Sequence, residues 1–452
     1  MLGYKIKHLV VLILFAIAFE GNAQRRIVYN EPAKTADSLK IHEGIISTKQ
    51  QKILYKRDGR KVATIKLSEP VMVAMADREE EWGYFQFPVL AKANDGTLIV
   101  DWQMKADSHT TYGVGTARKH VPMISSDKGK KWKPLDRSIN VVTDSYKEEL
   151  KNGNVLQVYT PKAEDLSKYG KNLKAIAKSG NQTFYKLDEL PDELQGVYLK
   201  VWNPDLRVNK IIHAKLSDSR ALRNAIDGQM PVVWWGNIKD LNDGALIAGT
   251  YPSYHLGSDG KVMPYGVSFY RSNDNGLSWE VIGDIPYQPD FKRDPIAPYK
   301  VDGAFGEPAF DILQDSTFIC VMRTGGASPM YKSFSKDKGM TWTKPEPFTP
   351  NGVKPMLLSL KNGVLVLASG RPGVQIRFSL DGSGKTWTDP IEMMPFMEGG
   401  KYDLYASCGY TSLLEADNNS FYIVYSDFKT KDKDGKNRKA IMFRKITVKR
   451  AK

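Results

Sequence analysis

The hydrophobic positions of this chain come in short runs, and the breaks between them carry turn chemistry. An apolar residue, an Asn or Asp, a Gly and a further apolar pair recur, with some degenerate copies, near Gly96, Gly153, Gly244, Asp315, Gly363 and Asn418. A β-rich run follows each one: Leu98-Ile99-Val100, Val155-Leu156, Leu246-Ile247, Phe318-Ile319, Leu365-Val366 and Phe421-Tyr422-Ile423. Gly supplies the positive φ of a tight hairpin turn, and branched or aromatic residues suit the strand that leaves it. Six signals, spaced roughly 45 to 90 residues apart, predict six supersecondary units of paired hairpins, each a four-stranded antiparallel sheet. The widest gap, Gly153 to Gly244, holds a polar insert around 187–230, with Leu187-Asp188-Glu189-Leu190-Pro191 and Leu216-Ser217-Asp218-Ser219 as helix or loop material.

A second pattern is offset from the first: Ser-x-Asp-x-Gly-x-x-Trp. It occurs at Ser125-Asp127-Gly129-Trp132, at Ser272-Asp274-Gly276-Trp279 and at Ser335-Asp337-Gly339-Trp342. A fourth copy, Ser379-Asp381-Gly384-Trp387, has one extra residue, and Ser179-Asn181-Thr183-Phe184 is a degenerate fifth. An Asp that accepts from turn N–H groups, a Gly at positive φ and a Trp packed beneath make a hairpin turn.

Four such boxes at this spacing resemble the Asp-box repeats of the sialidase (neuraminidase) superfamily, and the resemblance spans roughly Tyr84 to Lys445. It implies an all-β, six-bladed β-propeller of four-stranded antiparallel blades over 81–452, with the boxes on a rim away from the chemistry. Residues 24–80 precede the first unit, and Val62 to Ala74 is expected to add a strand to the last blade, because radial sheets otherwise leave a raw edge.

Composition narrows the setting. Lys5 and Lys7 stand before the apolar run Leu9 to Phe19, and Gly21 and Ala23 follow. That is the order of a secretory signal over 1–23. The run falls short of the roughly 18 apolar residues a span needs. The expectation is a secreted or periplasmic chain with no integral membrane span. The formal net charge of +14 could indicate nucleic-acid or acidic-glycan partners, but lysines are mixed with acids, as from Lys431 to Lys439, and export points away from nucleic acid. The charge is read as a solvated basic surface, with no nucleic acid bound. Cys320 and Cys408 sit in apolar, strand-like runs and are expected to be buried free thiols. No zinc-ligand spacing or phosphate loop is present, so no cofactor or metal is expected.

A propeller site is fed by the innermost strand of each blade. Glu307 opens Gly306-Glu307-Pro308-Ala309-Phe310, Arg323 ends the next strand, Arg371 ends Leu367-Ala368-Ser369-Gly370, and Tyr410 starts Tyr410-Thr411-Ser412-Leu413. Asp107 follows Asp101-Trp102 in the first unit. These positions look like the sialidase catalytic set. The resemblance implies Tyr410 as nucleophile, Glu307 as its base, Asp107 as acid/base, and Arg323 and Arg371 as clamps for a substrate carboxylate.

The residue types suit the chemistry. An anomeric carbon bearing a carboxylate repels an anionic nucleophile, so a neutral Tyr, deprotonated by a neighbouring carboxylate, replaces Asp or Glu. Guanidinium binds carboxylate through two bonds. Where the family has a first arginine, this chain reads Phe85-Gln86-Phe87-Pro88. Gln86 brings no charge, so the expected glycan substrate carries either a different acidic sugar or a neutral one that Gln86 reads by hydrogen bonds. The reading is a sialidase-like exo-glycoside hydrolase that cleaves a terminal, acidic sugar from extracellular glycans, retaining if Tyr410 is the nucleophile. A polysaccharide lyase or rhamnosidase-like enzyme on the same scaffold, using His109 or His255, and a non-catalytic glycan-binding propeller stay open. Trp102, Trp234 and Trp235 are candidates for a sugar-stacking platform or for core.

Overall fold

The computed structural model describes residues 26–30 and 45–451, apart from 108–117, 137–138, 145, 242, 296, 298–302, 326–327, 372, 395–396, 399–400 and 404. The segment 1–23, and with it the signal reading, lies outside the described residues, as does His109. The fold is nearly all-β. Its described helices are three short 3₁₀ turns, and no described helix is long and apolar enough to cross a membrane.

Four-stranded antiparallel sheets follow one another along the chain. Sheet I comprises Tyr84–Lys92, Leu98–Met104, Met123–Ser125 and Lys133–Pro134. Sheet II comprises Lys147–Glu149, Val155–Val158, Val197–Trp202 and Asn209–Ser217, and sheet III Trp235–Asp240, Leu246–Ser253, Gly266–Ser272 and Ser278–Ile285. The last strands of II and III pair in parallel and make one eight-stranded sheet. Sheet IV comprises Gly306–Ile312, Phe318–Arg323, Tyr331–Ser335 and Glu346–Pro347; sheet V, Val353–Ser359, Leu365–Gly370, Val374–Ser379 and Ile391–Glu392. Sheet VI contains Thr411–Asp417, Ser420–Lys431 and Asn437–Arg450, and Arg60–Leu67 and Val71–Met75 both pair antiparallel with that last strand.

Each sheet enters through one of the six Asn/Asp/Gly hairpins, which join its first and second strands. The boxes join the third and fourth strands of sheets I, III, IV and V. In every box the Ser hydroxyl donates to the Asp carboxylate at 2.7–2.9 Å and accepts from the Gly N–H. The box glycine also faces the preceding sheet. A Cβ there would lie 2.0 Å from Phe443 at Gly129, 2.8 Å from Leu156 at Gly276, 3.0 Å from Ile247 at Gly339 and 2.5 Å from Ile319 at Gly384. The motif thus closes a hairpin and docks one sheet on the next. Ser179-Asn181-Thr183-Phe184 is no such turn. It belongs to a hairpin at Gly180, between Ala177–Ser179 and Gln182–Lys186.

Apolar clusters fill the gaps between consecutive sheets. One lies between V and VI around Phe378 and Ile423, one between VI and I around Phe443 and Trp102, and one between II and III around Leu199 and Trp279. Others separate III from IV and IV from V. Strands covered on both faces lose the alternating pattern, as in the fully buried run Leu365–Gly370. First strands are stitched by polar side chains as well. Leu90 N donates to Ser412 Oγ, Ser359 N to Asp311 Oδ2, Asn237 Nδ2 to Phe310 O and Asp240 N to Glu148 Oε1. Sheet I meets the loop entering sheet II where Thr143 Oγ1 donates to Asp101 Oδ2 at 2.7 Å.

The insert differs from its expected bounds. Val197–Trp202 and Asn209–Ser217 are strands of sheet II, not insert. The additional element is a five-stranded sheet drawn from Glu164–Asp165, Ala177–Ser179, Gln182–Lys186, Leu222–Ile226 and Gln229–Met230. It has its own core of Leu166, Leu187, Leu194 and Met230, so the polar surface of 187–195 conceals buried leucines.

Candidate functional site

The first strands of sheets I, IV and V begin alike. Phe87, Glu307 and Lys354 each precede a proline and hold φ of 50°, 47° and 42°. In each strand the ladder slips across that residue, between Gln86 and Val89, Gly306 and Ala309, and Val353 and Met356. A non-Gly residue at positive φ costs of order 1–3 kcal/mol, and such strain gathers where a side chain must be aimed. These bulges send one side chain from each strand to a common centre.

Glu307 is that centre's hub. It is buried, 6% exposed. Its Oε1 accepts from Arg323 Nη1 at 2.8 Å and from the hydroxyl of Tyr410. Its Oε2 accepts from Lys354 N at 2.9 Å. Although burial opposes its charge, Arg323 titrates above its ordinary value because of the Glu307 carboxylate. Residues 103 positions apart therefore meet.

Lys354 is the second hub. Its ammonium donates to the Tyr146 hydroxyl and lies 4.1 Å from that ring and 5.9 Å from the Tyr410 ring. Burial pushes it down to about 8. Burial also raises the Tyr146 phenol, with Glu307 and Asp144 adding to the effect. Phe87 meets Tyr410 edge-on at 4.6 Å.

Arg371 follows sheet V's second strand with φ 50°. Its guanidinium stands 5.3 Å over Trp82, and its buried Nε has no hydrogen-bond partner among the described residues. Burial and the neighbouring Arg323 both lower its pKa. Trp82 also donates from Nε1 to Asp107 Oδ2 at 3.1 Å. Asp107 is exposed.

A cavity of about 490 Å³ opens here, bordered by Phe87, Asp107, Tyr146, Lys354 and Tyr410 on one side. The structure brings Glu307, Arg323 and Tyr410 into direct contact. Asp107 lies on the cavity wall, and Arg371 is joined to it through Trp82. Gln86 is a correction. It is fully buried, both amide atoms lack partners among the described residues, and it is absent from the cavity wall, where Phe87 stands instead. By register Gln86 matches Gly306 and Val353, whereas Phe87 matches Glu307 and Lys354. Trp102 and Trp234 are core, stacked with Phe85 and set edge-on to Trp279 respectively; Trp235 alone of the three borders the cavity. His255 lies 3.7 Å from buried Asp218 and is not on the cavity wall.

No known family profile matches the chain, and no curated protein does. Solved structures do resemble it. A protein of unknown function from Dyadobacter fermentans superposes with a TM-score of 0.57 at 15% identity, over 85% of this chain and 99% of that one. That likeness is one of fold. An α-L-arabinanase from Penicillium chrysogenum follows with a TM-score of 0.48 at 15% identity, over 83% and 98% of the two chains. The NanB sialidase of Streptococcus pneumoniae gives 0.44 at 13% identity, over 86% and 76%.

Lys354, Tyr146 and Trp82 escape the sequence reading. A signal for Lys354 exists: Lys354-Pro355 repeats Glu307-Pro308 and Phe87-Pro88 at the head of a strand. Tyr146 and Trp82 have no comparable local mark.

Proposed function

We propose that this chain is an exported six-bladed propeller glycoside hydrolase of the sialidase kind, which removes a terminal sugar bearing an anionic group and retains its configuration. One observation carries the reading: the Tyr410 hydroxyl is hydrogen-bonded to Glu307, whose carboxylate is held by Arg323. A phenol's free pKa is about 10, so it needs a carboxylate to take its proton as it attacks the anomeric carbon. Asp107, on the cavity wall, protonates the leaving oxygen and then activates the water that releases the sugar. Lys354 and Arg371 supply positive charge for the substrate's anionic group, in place of the arginine absent from the first strand.

The test is a panel of fluorogenic glycosides of sialic acid, uronic acids and neutral sugars, with the released anomer read by NMR. Net retention that disappears in Tyr410→Phe supports the reading. Inversion, or an unsaturated product of elimination, sinks it.

A further inference from the structure

The other half of the cavity takes no part in that chemistry. It is walled by the inserted sheet, whose strands come from two segments, one between the second and third strands of sheet II and one between sheets II and III. Gln182 and Asn224 reach the cavity from paired strands of that insert, and Asn224 Nδ2 donates to Gln182 Oε1 at 3.3 Å. The Tyr254 hydroxyl lies 3.5 Å from the same oxygen. Aromatic rings lead from there toward Glu307. Tyr254 packs on Tyr265 at 5.3 Å, Tyr265 on Tyr251 at 6.3 Å and Tyr251 on Trp235 at 6.0 Å. Tyr251 and Tyr265 also flank Gly306, the residue before Glu307.

The two halves differ in charge. One presents Lys354 and Asp107; the other presents amides, phenols and an indole. A sugar ring offers C–H faces that pack on aromatic rings and hydroxyl edges that pair with amides, which both donate and accept. A volume of about 490 Å³ is within the range of sites that enclose a ligand larger than one small group.

We propose that this uncharged half is a leaving-group subsite for a neutral sugar residue, gripped by Trp235 and Tyr254 and read by Gln182 and Asn224. The proposal rests on the glycosidase reading. The insert then selects what the terminal sugar is attached to.

Two substrates of the same terminal sugar separate the effects: the glycosyl fluoride, which carries no leaving sugar, and a disaccharide ending in a neutral pyranose. Trp235→Ala and Gln182→Ala are expected to lower kcat/KM on the disaccharide by about tenfold or more and on the fluoride by less than about twofold. Equal losses on both substrates overturn the subsite while leaving the catalytic reading intact, which Tyr410→Phe tests separately. Saturation-transfer NMR with galactose, N-acetylglucosamine and arabinose reads the site without turnover. A signal on the wild-type chain that is lost in Trp235→Ala supports the proposal. No signal from any of the three sugars, or one unchanged by the substitution, overturns it.

Discussion

Lys354 donates its backbone N–H to Glu307 Oε2 at 2.9 Å, while its ammonium points to Tyr146 beside Tyr410. The two residues hold equivalent places in consecutive sheets, each before a proline and each at positive φ. One repeated bulge thus brings a carboxylate into contact with the Tyr410 hydroxyl and an ammonium to 5.9 Å from its ring. The bulge at Lys354 sets its N–H against the carboxylate that also accepts from the Tyr410 hydroxyl.

The proposed catalytic pair is tested by two conservative changes. Tyr410→Phe removes the proposed nucleophile, and Glu307→Gln removes the proposed proton acceptor and leaves Arg323 without its carboxylate. Each should lower kcat on the best fluorogenic glycoside by at least about a thousandfold. Tyr410→Phe should melt within a few degrees of the wild type, whereas Glu307→Gln should melt lower, because a buried charge loses its partner. Full activity in either variant would remove that residue from the reaction.

Lys354 sets a pH dependence with opposite signs for stability and binding. Burial lowers it from 10.5 to about 8, so between those values the unfolded chain holds the extra proton. Its contribution to stability is therefore unfavourable below about pH 8 and is relieved as pH rises toward 10.5. Lys354→Met should raise the melting temperature at pH 7, by a gain that shrinks toward pH 10. Binding of an anionic substrate analogue should weaken above about pH 8 in the wild type and show no such step in the variant. Calorimetry and titration between pH 6 and 10 read both.

Phe87, not Gln86, borders the cavity. Gln86→Met should be neutral or stabilising by about 1 kcal/mol, since it replaces a buried, unpartnered amide with an apolar chain of similar shape. Gln86→Arg buries an unpaired charge and should cost several kcal/mol with no gain on a sialoside. Phe87→Arg is the change that brings a guanidinium to Tyr410. A stable Gln86→Arg protein with raised sialoside turnover would place Gln86 on the cavity after all.

The box turns should be more sensitive than ordinary hairpins. Gly129 and Gly96 share φ of 86°, so alanine strains the backbone equally, by about 1 kcal/mol. A Cβ at Gly96 meets nothing within 4 Å, while one at Gly129 would lie 2.0 Å from the Phe443 ring. Gly129→Ala should therefore melt well below Gly96→Ala. Equal melting temperatures would mean that the box closes its own hairpin and does not hold sheet I on sheet VI.

The features legible in the chain are local ones. Hairpin turns announce themselves because only a few residues tolerate positive φ, so the six turns and the four boxes could be read directly, along with strands flanked by them. Glu307, Arg323 and Tyr410 were legible too, because each stands at a strand end beside a recognisable motif. Packing between sheets settles the rest. Whether a buried polar residue faces a cavity or a core depends on the slip of the ladder, and a bulge between Gln86 and Val89 turns Phe87, not Gln86, toward Tyr410. Lys354 in sheet V and Tyr146, just ahead of sheet II, meet across 208 positions, a contact that no periodicity encodes. The inserted sheet hides its purpose likewise, since its leucines and amides read as a polar loop until packing sorts them onto opposite faces. Turn chemistry acts over a few residues, but a site assembled from separate sheets exists only once their shared cores have set them side by side.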